Sequence, residues 1–111
     1  MNMSNINLAT EWFEVLQTTE RSQTAVMRLD PGQSTGEHAE SHDKSEQLLL
    51  LLEGRLMAEI GGKNLALNVG DVVMIPPRVK HKFTNPSDTR AVTFNVYCPP
   101  EYSPDEKGQR R

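Results

Sequence analysis

The sequence predicts an all-β fold, an antiparallel sandwich or barrel, on three observations. Turn-forming residues recur at short intervals along the 111 residues, from Asp30-Pro31-Gly32 to Pro99-Pro100. The runs between these turns are about 5 to 9 residues long, which suits strands and is too short for ordinary helices. Two neighbouring runs also place apolar residues at every second position around a Gly61-Gly62 turn. Short strands joined by frequent turns are typical of antiparallel sandwiches and barrels.

The five leucines at positions 48–52 form the ambiguous element. Leucine favours helix, and Ser45 and Gly54 are suitable as the cap and the stop of a short one. Only about nine residues lie between those two positions, however, and a strand that is covered on both faces reads as a continuous apolar run. Strand is therefore the favoured interpretation.

The segment 55–69 predicts a β-hairpin. Apolar residues keep a period of two on both sides of the glycine turn: Leu56, Ala58, Ile60, Leu65, Leu67 and Val69. A two-residue turn with glycine at both positions is typical of hairpins. Farther along, a buried strand is predicted over residues 72–75, ending at Pro76-Pro77. The next strand is expected to begin at His81, and the last one to cover residues 94–98.

A chain of this length is expected to form one domain, residues 1–111. We expect a barrel core over about residues 11–98 and a Pro-rich tail, residues 99–111, that begins in ordered contact and then frays. Apolar residues make up 36% of the chain, so the core is expected to be thin. A partner subunit would cover further apolar area, and we therefore expect a homodimer.

Charge and cysteine content exclude several classes of protein. The net charge of −3 provides no overall positive field, so we expect no nucleic-acid binding. The first ten residues lack the features of a signal peptide and the longest apolar run has five residues, so we expect no membrane segment. The single Cys98 excludes an internal disulfide, and a free thiol suits a reducing compartment. The expected location is the cytoplasm.

Residues 70–85 contain a spaced motif. Gly70, Pro76, Arg78, His81 and Asn85 give the pattern G-x5-P-x-R-x2-H-x3-N. This pattern resembles the second motif of the cupin superfamily, G-x5-P-x-G-x2-H-x3-N, with one departure, because Arg78 replaces the second glycine. The departure lies at a turn, and arginine tolerates a positive φ poorly.

The first cupin motif, G-x5-H-x-H-x(3,4)-E-x6-G, can be aligned in two registers. If it is anchored on Gly32, His38 is the first histidine, but the second then falls on Glu40 and the carboxylate on Lys44 or Ser45. This register fails because only one ligand position carries the residue that the motif requires.

The second register counts back from Gly54 and gives E-x-H-x4-Q-x6-G, formed by Glu40, His42 and Gln47. Glutamate replaces the first histidine, and glutamine takes the acid position, as it does in some metal-binding cupins. Residues 40 and 42 are two apart, so on a strand both side chains project to one face. With His81 on an adjacent strand, two imidazoles, an amide oxygen and a carboxylate are expected to converge.

The resemblance implies a metal site at His42, Gln47, His81 and Glu40. This mixed nitrogen and oxygen set suits one divalent ion of Fe, Mn, Zn, Ni or Co. With an open coordination position, the ion would bind a small oxygenated organic molecule. Two alternatives stay open at this point: His38 in place of Glu40 as the fourth ligand, and a metal-free protein in which these side chains only hydrogen-bond one another.

The end of the chain carries a further resemblance. Asn95, Tyr97, Pro99-Pro100 and Tyr102 are similar to the N-x-Y-x-P-P-x-Y ending of small stand-alone cupins, some of which are labelled tetracenomycin polyketide synthesis proteins. The resemblance implies a double-stranded β-helix, or jelly-roll barrel, that commonly dimerises. Cupins include metal-dependent cyclases, isomerases and dioxygenases as well as binders without catalysis, so the fold does not fix the function.

Overall fold

The computed structural model describes residues 1–106, and this part of the chain contains one short 3₁₀ helix and eight strands. The helix is Ile6–Leu8, and the strands are β1 (Phe13–Thr18), β2 (Gln23–Leu29), β3 (Glu46–Glu53), β4 (Leu56–Ile60), β5 (Lys63–Leu67), β6 (Val72–Ile75), β7 (His81–Thr84) and β8 (Ala91–Cys98). Over residues 1–106 we find no helix with the length and apolar character needed to cross a membrane.

The strands form two antiparallel sheets. One has five strands in the order β1-β2-β8-β3-β6, and the other has three in the order β5-β4-β7. Beyond β7, the chain of residues 34–40 is attached by two isolated bridges, Ser34 to Thr84 and Glu40 to His81. The all-β, antiparallel jelly-roll predicted from the sequence is confirmed.

The core lies between the two sheets, and β3 shows how the sequence produces it. The side chains of Leu49 and Leu51 are buried in the core, whereas Leu48 and Leu50 lie half-buried on the outer face. This alternation has the period of two that a strand requires. The leucine run is therefore a strand, because sheet pairing and core packing of its inner face override the helical preference of leucine.

The hairpin predicted over residues 55–69 is formed by β4 and β5. Leu56 pairs with Leu67 across it, and both side chains are buried. Gly61 and Gly62 in the turn have φ of 57° and 81°, the left-handed conformations that a two-residue hairpin turn needs. Val69 lies past the end of β5 and is exposed, and Leu65 within β5 is 44% exposed. Of the three apolar residues predicted to alternate after the turn, Leu67 alone is buried.

The burial expected for residues 72–75 is wrong for half of the strand. Val72 and Met74 are 59% and 60% exposed, while Ile75 is buried. The reason is the position of β6 at the edge of the five-stranded sheet, where alternate side chains face outwards. A local apolar run does not distinguish an edge strand from a central one.

Residues 99–106 lie against the barrel and do not continue β8. The Ser45 hydroxyl donates a hydrogen bond of 2.7 Å to the carbonyl of Pro99, and the amide of Val15 donates one of 3.0 Å to the carbonyl of Glu106. The beginning of the expected tail is thus in ordered contact. Residues 107–111, where fraying was expected, lie outside the described residues.

Candidate functional site

A cavity of about 610 Å³ opens at one end of the space between the sheets. Aromatic side chains supply much of its wall: Trp12, Phe13, Phe83, Tyr97 and Tyr102. The side chains with nitrogen and oxygen atoms suited to binding come from separate parts of the chain: Glu40, His42, Gln47, His81, Asn95 and Glu101. The cavity therefore combines flat apolar surfaces with a cluster of polar atoms.

Gln47 and His42 are in direct contact. Gln47 is the second residue of β3, on the same inward face as Leu49, and its side chain is buried. The Oε1 atom of Gln47 lies 3.1 Å from Nε2 of His42. A buried amide needs a polar partner, and His42 provides it. Between them, residues 43 and 44 form a bend.

His81 reaches the same cavity from β7. Its Nδ1 lies 3.0 Å from the carbonyl oxygen of Val79, so Nδ1 carries the proton and donates to that oxygen, which leaves the Nε2 lone pair available. Burial lowers the pKa of His81 below 6.5, although the hydrogen bond to the Val79 carbonyl opposes the shift. His81 is therefore held as a neutral imidazole.

The structure brings the two predicted imidazoles together. The ring centroids of His42 and His81 are 5.0 Å apart. Tyr97 adds an edge-to-face contact with His42 at 5.5 Å. Neighbouring rings at this distance, next to the same cavity, are arranged so that one small ligand can contact both.

Glu40 lies beside His81, but the two residues are paired by an isolated β-bridge and not by a regular pair of strands. Two backbone hydrogen bonds join the residues, Glu40 N to His81 O at 3.1 Å and His81 N to Glu40 O at 2.8 Å. Residues 41 and 42 are not in a strand, so the single strand face expected for Glu40 and His42 is wrong. The two side chains nevertheless line one cavity, as does the exposed His38 at its rim.

The departure from the second cupin motif is resolved at Arg78. This residue has φ of 68°, a conformation that usually favours glycine, and its amide donates a hydrogen bond of 2.7 Å to the carbonyl of His42. The turn before β7 therefore keeps the glycine-like conformation despite its side chain. The hydrogen bond ties this turn to the backbone of His42.

The donor atoms can be compared with the requirements of a divalent ion. Two ligand atoms at about 2.1 Å from a shared ion lie about 3.0 Å apart at the right angle of octahedral coordination and about 3.4 Å apart at the tetrahedral angle usual for zinc. The 3.1 Å between His42 Nε2 and Gln47 Oε1 is near the octahedral separation. Over residues 1–106, however, no group of three or more His, Cys, Asp or Glu side chains is placed to hold an ion. The fit therefore depends on the amide of Gln47, a residue type outside those four.

Glu101 is the site residue that the sequence analysis missed. Its Oε2 lies 3.3 Å from Nδ1 of His42. The residue occupies the variable position before Tyr102 in the N-x-Y-x-P-P-x-Y ending, and this ending was the signal that could have drawn attention to it.

A buried polar row on β8 lies at the inner side of the cavity. The hydroxyl of Thr93 donates to Oδ1 of Asn95 at 2.8 Å, and Nδ2 of Asn95 donates to the hydroxyl of Tyr97 at 3.2 Å. Burial raises the pKa of the Tyr97 phenol well above its ordinary value. Tyr97 therefore stays a neutral hydrogen-bonding group in the cavity wall.

Comparison with known proteins gives one curated relative of note. Polyketide synthase CurC from Streptomyces cyaneus is 36% identical over 67 residues, which are 60% of this chain and 41% of that protein. The chain thus spans less than half the length of this relative.

Solved structures show the same architecture. BH2720 from Bacillus halodurans has a TM-score of 0.85 at 19% identity, covering 94% of this chain and 82% of that one. TT1209 from Thermus thermophilus has a TM-score of 0.78 at 21% identity, covering 89% and 98% respectively. At these identities the likeness concerns the fold. A protein-family model described as "Cupin domain" matches residues 25–97. Since this match covers more than half of the chain, the protein belongs to the cupin family.

Proposed function

We propose that the protein binds a small oxygenated organic molecule together with one divalent metal ion at the mouth of the barrel. The observation that carries the proposal is that His42, Gln47, His81 and Glu40 all line one cavity of about 610 Å³. Cavities of about 300–1,000 Å³ are the usual size for small-molecule sites.

The donor atoms of these four side chains support Fe, Mn, Zn, Ni or Co as the ion. They comprise two imidazole nitrogens, an amide oxygen and a carboxylate, a mixed set that these metals accept. A bound divalent ion would act as a Lewis acid that polarises a carbonyl or hydroxyl oxygen of the organic ligand. His81, held neutral by burial, has the protonation state that ligation needs.

The cavity walls support a class of organic ligand. Flat aromatic surfaces from Phe13, Tyr97 and Tyr102 suit an apolar ring or chain, and Asn95 provides an amide for its oxygen atoms. The relative named polyketide synthase CurC favours an oxygenated, polyketide-like molecule. Metal-dependent cyclisation, isomerisation and dioxygenation are the reactions to assay once the ion is known.

Elemental analysis of protein purified without added metal tests the site. We expect wild-type protein to carry a divalent ion and a His42→Ala, His81→Ala double variant to lose it. His38→Ala is the matched control, because it removes a histidine from the same segment that lies outside the proposed ligand set, and it should retain the ion. Loss in Glu40→Ala but not in His38→Ala would identify the fourth ligand. An absence of metal in the wild type, or equal content in the double variant, would reject the metal site.

A metal-free ligand-binding cupin is the second candidate function. The direct 3.1 Å contact between His42 and Gln47 favours it, because the two side chains satisfy each other without an ion. Thermal unfolding with and without a chelator separates the candidates, since a ligand bound only to the folded state raises the unfolding temperature. An unchanged unfolding temperature after chelation supports the metal-free protein.

The homodimer is also a proposal. Its support is the exposure of Val72 and Met74 on β6, at the edge of the larger sheet, where a second copy would cover them. Size-exclusion chromatography with light scattering measures the mass, and Met74→Lys should shift a dimer towards monomer. A single domain over residues 1–111, a cytoplasmic location and the lack of nucleic-acid binding stay predictions from the sequence.

A further inference from the structure

We propose that Glu101 is a positioning residue of the site: the segment 99–106, here called the C-terminal strap, places its carboxylate against His42 and fixes which nitrogen of that histidine carries the proton. This inference rests on the proposed function for its role in binding, but the tautomer of His42 can be measured without any metal. The argument begins with how the strap is held.

One buried side chain fixes the backbone of the strap. Gln23, at the start of β2, donates through Nε2 to the carbonyl of Tyr102 at 2.8 Å. Its Oε1 accepts from the amides of Glu101 at 3.1 Å and Tyr102 at 2.9 Å. Because three hydrogen bonds from a single buried amide hold two consecutive residues, the position of Glu101 is defined by the barrel itself.

Tyr102 adds packing contacts on the cavity side. Its ring lies 4.9 Å from that of Phe13, 5.1 Å from that of Tyr97 and 5.9 Å from that of His42, each in an edge-to-face arrangement. The strap is therefore part of the cavity wall, and the side chain that precedes Tyr102 is directed at the same histidine.

The carboxylate of Glu101 has a defined effect on His42. Its Oε2 lies 3.3 Å from Nδ1, and the two side chains are 26% and 11% exposed, so solvent screens the contact only in part. A carboxylate has only acceptor oxygens and repels a lone pair on Nδ1. The amide of Gln47, at the other nitrogen, can rotate to present either its oxygen or its NH₂ group. The carboxylate therefore decides the tautomer.

The resulting tautomer has its proton on Nδ1 and its Nε2 lone pair towards the cavity. Without an ion, the Gln47 amide then presents its NH₂ group to Nε2 in place of the oxygen that lies 3.1 Å away. A ligating histidine needs this tautomer, and a carboxylate behind it typically contributes about 10- to 100-fold in metal affinity. Glu101 thus acts on the ion or ligand through His42, without needing to touch it. Hydrogen bonds join the strap to the barrel at three places, Ser45, Gln23 and Val15, and they keep Glu101 in this position.

Nitrogen NMR of the histidine side chains in metal-free protein tests the tautomer. We expect His42 to be protonated on Nδ1 in the wild type and to become a mixture of tautomers in Glu101→Gln. This variant keeps the backbone amide bonded to Gln23, so the strap should stay in place. Glu53→Gln is the matched control, because it removes the same charge from an exposed pair with Arg90 elsewhere on the barrel. An Nε2-protonated His42 in the wild type, or an unchanged tautomer in Glu101→Gln, overturns the proposal.

Calorimetric titration with Zn²⁺ alone tests the consequence for binding. Glu101→Gln should bind about 10- to 100-fold more weakly than the wild type, and Glu53→Gln should bind equally well. Equal affinity in Glu101→Gln contradicts the positioning role in binding. If neither protein binds Zn²⁺ and elemental analysis finds no other ion, the metal proposal fails, and the tautomer measurement alone decides the role of Glu101.

Discussion

The same strands build both ends of the barrel interior, but the side chains that they direct inwards differ between the two ends. On β3, Leu49 and Leu51 fill one end, here called the packed end, while Gln47 faces the other, here called the cavity end. On β8, the inward residues at the cavity end are Asn95 and Tyr97. All five side chains are buried, so burial alone does not separate a core position from a site position.

The difference shows how stability and binding are divided along one strand. Apolar side chains at the packed end stabilise the fold by about 25 cal/mol per Å² of apolar surface removed from water. Buried polar groups at the cavity end need partners, and the contacts of His42 with Gln47 and of Asn95 with Tyr97 provide them. We therefore expect substitutions at the packed end to change stability and those at the cavity end to change binding.

Leu51→Ala should have the largest effect on stability. Leu51 is fully buried at the packed end, and removing such a leucine typically lowers the free energy of unfolding by about 2–5 kcal/mol. Urea unfolding followed by circular dichroism measures the loss. The control is Leu52→Ala, one residue on and 37% exposed, which should cost well under half as much. Equal losses in the two variants would contradict the proposed division.

Gln23→Leu should have the next largest effect, at the strap. The change removes the three hydrogen bonds to Glu101 and Tyr102 and one to Thr18, and buried groups left without partners cost about 1–3 kcal/mol. Hydrogen exchange at the amides of residues 101 and 102 should accelerate more than exchange within β3. Unchanged protection of those two amides would show that the strap is held by other contacts.

Gln47→Leu should separate stability from binding. The variant places an apolar side chain of similar size in the cavity wall and loses one hydrogen bond, so the free energy of unfolding should change by no more than about 1.5 kcal/mol. Affinity for Zn²⁺ by calorimetry should fall at least about tenfold, because an amide ligand is lost. A large loss of stability with unchanged affinity would place Gln47 in the core instead of the site.

The sequence was sufficient to predict the fold because the relevant signals are local. The β4–β5 hairpin follows from the alternation of residues 56–67 and from Gly61-Gly62, and the strand at 48–52 follows from the limited room before Gly54. The exposure of Val72 and Met74 could not be predicted in this way. It depends on β6 lying at a sheet edge, and the order of strands in a sheet is a property of the whole chain.

The site was partly predictable for the same reason. Motif spacing identified His42, Gln47 and His81, which line one cavity. It also predicted a strand at Glu40, where the structure has a single β-bridge to His81. Glu101 lies 59 positions after His42, and its approach depends on the strap folding back to Gln23. No spacing rule in a single sequence reports such a return of the chain.

The smallest expected effect concerns the pH dependence of stability at the cavity end. Burial lowers the pKa of His81 below 6.5, while His42 lowers it further and Glu40 and Glu101 oppose the shift. As the pH falls below about 6.5, the unfolded chain takes up a proton that the folded protein resists, so the free energy of unfolding decreases through this window and is fully recovered above it. Urea unfolding with a chelator present, from about pH 7 to about pH 5, should therefore show a smaller decrease in His81→Gln than in the wild type. Equal decreases would mean that His81 titrates alike in the folded and unfolded chains, and that its neutral form is not held by the barrel.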